Sequence, residues 1–482
     1  MRNGSIAAGG MRGRLLSGLC LGSLCLGGLF VASAPIASAA LAAQPPAQPA
    51  APASAAPANP AAHKTEPPIA LLPLRERAEI VDDILRQRLE ALIPVLMREE
   101  GVDLWLTMSR EYFEDPVTAS MLDAKSMSAR RRTILVFYDP GAGQPIERLT
   151  VSRYGLADLF KPAWDPATQP DQWQAVADII AARDPARIAI NVSDATRFAD
   201  GMTKSQYDAM MAALAPQYRD RIVSGEVLST RWLETRLPSE VQLYDTLGRL
   251  PHRLIAEAFS TEVITPGVTT CADVQWWLRE RLLQLRVQPW FHPSCGIQRQ
   301  GAQGMLQGDV VIERGDLLWT DLGITYLRLN TDTQHLAYVL KEGEVDAPAG
   351  LRAGLANSNR VQDILTSHFV AGLSGNEVLA RARAQAIDEG LDPSIYTHAL
   401  GLHGHGAGPS IGFWDNQNAD PRGADTVRAN TAWAIELTSY ANVPEWGGQR
   451  VDFRTEEDAF FDGEKVRYFD GRQTRITLIG GE

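Results

Sequence analysis

The sequence predicts an α+β protein built as two ordered domains, a smaller mixed α/β one over residues 71–229 and a larger one over 230–482. Three features support that division. The chain of 482 residues is longer than a single hydrophobic core sustains. Its first half alternates strand-like apolar runs with helical patterns, the signature of a mixed α/β layer. Its second half opens on helices, passes through an apolar strand pair at residues 315–340 and ends in strands. Hydrophobic content of 45% and charged content of 22% leave ample material for both cores.

Residues 1–39 stand apart. Arg2, Arg12 and Arg14 make a positive start, residues 15–31 are apolar, and Ala37-Ser38-Ala39 offers a small-residue cleavage site. This is the pattern of a secretory signal peptide, with glycines and serines interrupting the apolar run; a retained N-terminal anchor is the alternative. The expected location is therefore periplasmic or secreted, with no membrane span in the mature chain. Residues 40–70 are a Pro/Ala-rich linker, expected to be an extended tether. Cleavage removes three arginines and no acid, taking the formal charge from −12 to −15. So acidic an exported chain is unsuited to nucleic-acid binding. Only Cys271 and Cys295 remain after processing, compatible with one disulfide or with two ordinary thiols.

Within the first domain, residues 75–99 place Ile80, Ile84, Leu85, Leu89, Leu92 and Leu96 at helical spacing. Strand-like runs follow at 102–108, 132–138, 148–152 and 187–193, with a helix over 172–183 between the last two. No cluster of histidine, cysteine or paired acids occurs here, so this half packs, makes subunit contacts or shapes a cleft. From residue 230 the texture changes. Helical patterns cover 239–259 and 271–285, joined by a Pro-Gly turn and a threonine cap. Two more helices are expected over 351–370 and 376–389, and the strands TAWAIEL and RVDFRTEEDAFF follow.

The chemistry gathers in the second half. Asp321 and Asp332 interrupt two apolar strands where the pattern asks for buried residues, eleven positions apart. A hairpin centred on Tyr326-Leu327 pairs residues whose numbers sum to 653, as 321 and 332 do. Directly opposed side chains lie about 4.5–5.5 Å apart at Cβ. Two carboxylates that close in apolar surroundings must share a proton or bind a cation. A second cluster, THALGLHGHGAG, holds His398, His403 and His405, three of the eight histidines. The third is Glu436 in TAWAIEL, on the same face as Ala432 and Ala434, as suits a strand lining a cavity; an edge acid facing water is the alternative. In RVDFRTEED, alternation puts Asp452, Arg454 and Glu456 on one face, selecting Glu456 over Glu457 as the inward acid. A surface charge ladder is the alternative there. Carboxylates with an imidazole suit a pair of divalent ions such as manganese, cobalt or zinc, which can hold a bridging water and polarise a carbonyl.

In order and spacing these residues resemble the methionine aminopeptidase, Xaa-Pro aminopeptidase and prolidase superfamily, the M24-type pita-bread metallopeptidases. The resemblance covers about residues 230–468, and the preceding domain looks like the creatinase-type N-terminal domain of the proline-specific branch. It implies that Asp321, Asp332, His398, Glu436 and Glu456 bind two metal ions, manganese first, with cobalt or zinc as alternatives. HALGLHGH resembles the family's H-x-L-G-L-x-x-H, which makes His398 the ligand and His405 the histidine behind it or facing substrate. Arg454 matches the family's Arg-x-Glu. The implied activity is peptide hydrolysis by a metal-bridged water, next to proline at a substrate N-terminus. Glu436 or Glu456 would take the water's proton, while His405 and Arg454 would orient substrate and stabilise the oxyanion. The family's habit also implies a homodimer.

The chain departs from that pattern at named places. Gly304 stands where the family usually has a histidine before the first aspartate, and Ser394 where the proline-specific branch has one before His398. Thr333-Gln334-His335 replaces the common Ile-Thr-Arg, and Gly406 follows His405 where an acid is normal. His292, His335 and His403 are the histidines available to replace a missing proton donor. Two other readings share the scaffold: a metal-independent C–N hydrolase like creatinase, and a non-catalytic metal-binding member.

Overall fold

The computed structural model describes residues 69–141 and 143–480. The expected signal peptide and all but the last residues of the expected linker lie outside the described residues.

The chain enters through α1, Leu74–Glu99, whose buried stripe of Leu85, Leu89, Ile93 and Leu96 follows the helical spacing of the sequence. Six strands then form one sheet: β1 (Leu104–Arg110), β2 (Arg132–Tyr138), β3 (Glu147–Val151), β4 (Lys161–Pro162), β5 (Ile188–Ile190) and β6 (Ile222–Ser224), in the order β4-β3-β2-β1-β5-β6. Four short or medium helices lie along this stretch: α2 (Pro116–Ser120), α3 (Gln172–Arg183), α4 (Lys204–Ala213) and α5 (Pro216–Arg219). Strand alternation splits the burial cleanly. Trp105, Leu135 and Phe137 pack with α1 on one face, while Leu104, Leu106, Ile134 and Val136 pack with α3 and α4 on the other. Each fully buried side chain of this kind contributes about 1.5–3 kcal/mol.

Helix α6 (Glu226–Glu234) leads into α7 (Pro238–Leu247) and α8 (Arg249–Ala258); the single pattern over 239–259 is thus two helices, meeting at Gly248. A buried ion triad ties the turn between α6 and α7 to α1. Glu240 accepts from Arg88 at 2.7 Å and from Arg236 at 2.8 Å, all three almost fully buried. The next helix, α9 (Cys271–Gln284), starts on a Thr270/Asp273 capping box, and Cys271 is disulfide-bonded to Cys295, so the pairing left open by the sequence is made.

The remaining strands build three sheets. The first joins β7 (Gln288–Pro289), β8 (Ser294–Gln298), β9 (Leu317–Tyr326) and β10 (Leu329–Val339) with the C-terminal β19 (Thr477–Ile479). Helices α10 (Ala349–Ser367) and α11 (Gly375–Asp388) follow β10. The second sheet contains β11 (Asp392–Ile395), β15 (Leu437–Val443) and β16 (Gln449–Thr455), and the third runs β13-β12-β14-β17-β18. In that third sheet β12 is Thr397–Leu400, β13 is Ser410–Ile411, β14 is Thr431–Ala434, β17 is Asp458–Phe461 and β18 is Val466–Tyr468.

The β9–β10 hairpin corrects the expected register. Asp321 pairs with Gln334 and Asp332 with Gly323, so paired numbers sum to 655, not 653. The turn is Leu327-Arg328, with φ of 53° and 66°, the left-handed pair that a two-residue hairpin turn demands. Arg328 compensates for that unfavoured conformation by donating to the Leu122 carbonyl at 2.6 Å and the Asp123 carbonyl at 3.1 Å. Because side chains repeat every two residues, a shift of two leaves both aspartates on one face, now diagonal instead of directly opposed.

That face also carries Leu317, Trp319, Leu336 and Tyr338, packed against Val451 and Phe453 of β16. The opposite face carries Leu318, Leu322, Ile324, Ala337 and Val339, packed against α8 and α9. Among the described residues, no helix is long and apolar enough to cross a membrane.

Candidate metal centre

Four separate segments bring side chains to the aspartate face of the hairpin. Asp321, Asp332 and Glu456 each offer a ligand atom within 4.8 Å of the others, as do His398, Glu436 and Glu456. From His398 Nε2 the distances are 3.6 Å to Asp332, 3.6 Å to Glu456 and 3.9 Å to Glu436. All five residues singled out as metal ligands therefore meet in one place.

Each is held by its own strand. The Asp332 amide donates to Asp458 at 2.9 Å, pinning that part of β10. His398 sits on β12 opposite Ala434, whose small side chain leaves room for it. Its Nδ1 lies 3.0 Å from the Ala399 carbonyl, so Nδ1 carries the proton and the Nε2 lone pair points at the carboxylates. Glu436 follows β14, whose Trp433 turns with Ile435 and Leu437 to the opposite, packed side. Glu456 continues β16 and bridges to Gln334 of β10.

The electrostatics are those of a site awaiting positive charge. Burial raises the Asp321 carboxyl to about 7 and Glu436 to about 8. Asp332 and Glu456 are raised well above the usual carboxylate range, first by burial and then by acidic neighbours, Asp321 and Glu436 in both cases. Burial, with the nearby His405, lowers His398 to about 3, so its imidazole is neutral. The buried Asp321 Oδ1, Asp332 Oδ1, His398 Nε2 and Glu456 Oε1 have no hydrogen-bond partner. Four unpartnered lone-pair atoms from four elements, converging among partly neutralised acids, fit divalent cations: carboxylate oxygens with one imidazole form a donor set for such ions.

Residues 245–455 match the family described as Metallopeptidase family M24. This segment is similar to an M24 metallopeptidase domain. Solved structures agree on the pita-bread fold. The X-Pro aminopeptidase of Thermotoga maritima MSB8 superposes with a TM-score of 0.58 at 16% identity, over 80% of this chain and 99% of that one. The Xaa-Pro dipeptidase of Bacillus anthracis gives 0.54 at 16% identity, over 84% and 100%. The prolidase of Pyrococcus horikoshii OT3 gives 0.51 at 13%, over 84% and 99%. No curated protein sequence matches the chain.

The two other singled-out residues flank this five-residue centre. His405 stands edge-on to His398 with ring centres 4.8 Å apart, and shares a group of ligand-capable atoms with Asp332 and His398. Arg454 lies over the Trp319 ring at 5.1 Å and donates to Asp452 at 3.3 Å, while its charge reaches Asp321 and Glu436. The histidines considered as spare proton donors go elsewhere. His403 packs on Phe198 at 5.1 Å, and His292 lies against Trp276 and 3.2 Å from Arg279. His335 faces the opposite side of β10 and bonds Glu457 at 3.1 Å. Gly304 lies in the loop between β8 and β9, at φ 72° with open space beside it, and Ser394 is a β11 residue paired with Thr438.

Two contributors escaped the sequence reading. The Gln334 amide donates to Glu436 and to Glu456, both at 2.8 Å, and its oxygen accepts from Trp319 at 2.8 Å. Its place opposite Asp321 was readable only with the true register. Trp290 donates to the Thr331 carbonyl at 2.9 Å and meets His405 edge-on at 5.0 Å. Gly323 and Gly404 are glycines for its sake: a Cβ on either would run into the indole.

Proposed function

We propose that this protein is an exported peptidase that hydrolyses the peptide bond next to proline, as an aminopeptidase or dipeptidase, with two divalent ions. Asp321, Asp332, His398, Glu436 and Glu456 would hold them, manganese first, with cobalt or zinc as alternatives. The observation that supports this reading is the convergence of unpartnered Asp321, Asp332, His398 and Glu456 atoms. The structural likeness to an X-Pro aminopeptidase and an Xaa-Pro dipeptidase supports the substrate class.

When bound, such ions supply Lewis acidity toward a carbonyl and lower the pKa of a water. The chain's own residues supply the rest. Glu436 keeps about a fifth of its side chain exposed (21%), against 1% for Glu456, and is thus the acid that reaches substrate and takes the proton. Gln334 fixes the orientation of both glutamates through its amide. His405, exposed and braced by Trp290, presents a ring N–H to the substrate, and Arg454 places a fixed positive charge beside developing negative charge. A cavity bounded by Pro116, Ala119, Trp290, Leu402, His403 and His405 adjoins this face and would receive the rest of the peptide.

The charged N-terminus and apolar run of residues 15–31 support export, and the family's habit supports a homodimer. The deciding experiment is a peptide-library cleavage assay with manganese, cobalt or zinc, with and without chelator. Metal-dependent cleavage of Xaa-Pro bonds is expected, and Asp321→Ala should abolish it while the circular dichroism spectrum is kept. Full activity after exhaustive chelation would overturn the metal reading. Cleavage that ignores proline would overturn the specificity, a real test given Gly304 and Ser394.

A further inference from the structure

Behind the five-residue centre lies a second cluster that the proposed chemistry does not use. His252 of α8 and His335 of β10 converge from two elements on the carboxylate of Glu457, which follows β16. His252 Nε2 lies 2.7 Å from Glu457 Oε2 and His335 Nε2 lies 3.1 Å from Glu457 Oε1. The two imidazole rings are 4.7 Å apart, and the three ligand atoms all lie within 4.8 Å of one another. Glu457 is 1% exposed and further anchored by the Gln473 amide at 2.7 Å.

We propose that His252, His335 and Glu457 form a separate binding site for one zinc-class divalent ion. Two imidazole Nε2 atoms and one carboxylate are a known three-residue zinc set that leaves a further position open. The residue behind the ligand is also present. His252 Nδ1 lies 3.0 Å from Asp470 Oδ2, the carboxylate contact on the far ring nitrogen that fixes the tautomer of a metal-bound histidine. The cluster is reachable: the side chains of His252 and Asp470 are 20% and 30% exposed, while Glu457 anchors it from below. Zinc–ligand bonds of about 2.0–2.2 Å ask the imidazoles to draw back only slightly from the carboxylate.

The site is distinct from the five-residue centre, yet built from the same strands. Gln334 and Glu456 face the centre, and their immediate neighbours His335 and Glu457 face the other way. Alternation thus projects one ligand set to each side of the bridge between Gln334 and Glu456.

The test is anomalous diffraction at the zinc edge on crystals of the mature protein, stripped with chelator and reloaded with zinc. Metal content is measured in parallel on the wild type, Asp321→Asn and His252→Gln. A peak bounded by His252, His335 and Glu457 is expected; it persists in Asp321→Asn and is lost in His252→Gln, with metal content lower by about one ion per chain. Zinc density confined to the Asp321 side overturns the proposal and leaves a hydrogen-bonded His–Glu–His triad. Because the wild-type map alone decides, misfolding of a variant cannot shelter the claim. Absence of density at the Asp321 side would instead count against the proposed function, so the two failures read separately.

Discussion

Gln334→Leu isolates what a neutral side chain does for a metal centre. The amide makes two 2.8 Å bonds to carboxylates, and the leucine keeps the approximate volume while deleting both donors. Without metal, burial holds both acids largely protonated at neutral pH, so these bonds count as neutral ones of about 0.5–1.5 kcal/mol each, and the pair is worth roughly 1–3 kcal/mol in the metal-free protein. With ions bound, cation charge replaces much of that, and the loss becomes one of orientation. Removing a hydrogen-bond partner behind metal ligands typically costs about 10–100-fold in affinity, or about 1.4–2.8 kcal/mol. The first figure should govern the chelated protein and the second the loaded enzyme. Manganese titration by calorimetry and thermal melts with and without chelator measure the two separately. Gln334→Glu should be worse than Gln334→Leu, since it keeps an acceptor for Trp319 but sets a third acid against Glu436 and Glu456. Manganese affinity in Gln334→Leu within twofold of wild type would refute the orienting role.

Three further outcomes follow from groups away from the ligands. Burial raises Glu234 to about 7 despite its 2.9 Å contact with Arg428. An acid with a raised folded pKa binds more protons folded than unfolded, so its contribution is present below about 4.5 and is lost as pH climbs through 7. The loss is about 3 kcal/mol in order of magnitude; Glu234→Gln should flatten that part of the stability profile in metal-saturated denaturant titrations, and an unchanged profile would refute it. Glu240→Leu strands the buried guanidinium groups of Arg88 and Arg236, and should destabilise by about 3–5 kcal/mol in urea unfolding. Reduction of Cys271–Cys295 frees a loop with a sequence separation of 24 residues and should lower stability by about 3 kcal/mol, read as a reductant-dependent melting shift.

How much of this was legible in the sequence depended on which physics each feature used. Secondary structure driven by burial periodicity was readable: α3 and β2 fall on the expected residues, and α1 within one position. The helix break at Gly248 and the short strands β4, β6 and β7 were not, because two or three residues show no period. The hairpin register failed for a definite reason. Leu327-Arg328 lacks the Asn-Gly or Asp-Gly signal of its turn type, and its positive φ angles are sustained by long-range bonds to the chain near Leu122. The error was harmless to the site because a slip of two preserves the face, whereas a slip of one would have turned Asp321 into the opposite core. Residues that serve by contact, such as Gln334 and Trp290, carry no mark in a sequence until their neighbours are known.

The choice between Glu456 and Glu457 takes this furthest. Alternation along RVDFRTEED selected Glu456 as the inward acid, and the structure sets it 3.6 Å from His398 Nε2. The same rule left Glu457 as the acid pointing away, which on a two-layered strand means toward something else. That something is His252 and His335, and the contact changes the acid's character. Where acidic neighbours and burial raise Glu456, the two imidazoles overcome burial and hold Glu457 at about 2. Adjacent glutamates, one electrostatically starved of positive charge and one supplied with it, differ only in the face of the strand they occupy. The starved acid needs a cation to be stable as a carboxylate. The supplied one already behaves as though it had one, which makes the His252 side the place where ion binding must compete with protons. Zinc uptake there should therefore weaken as pH falls, since ligation through Nε2 requires that nitrogen's lone pair to be free of a proton.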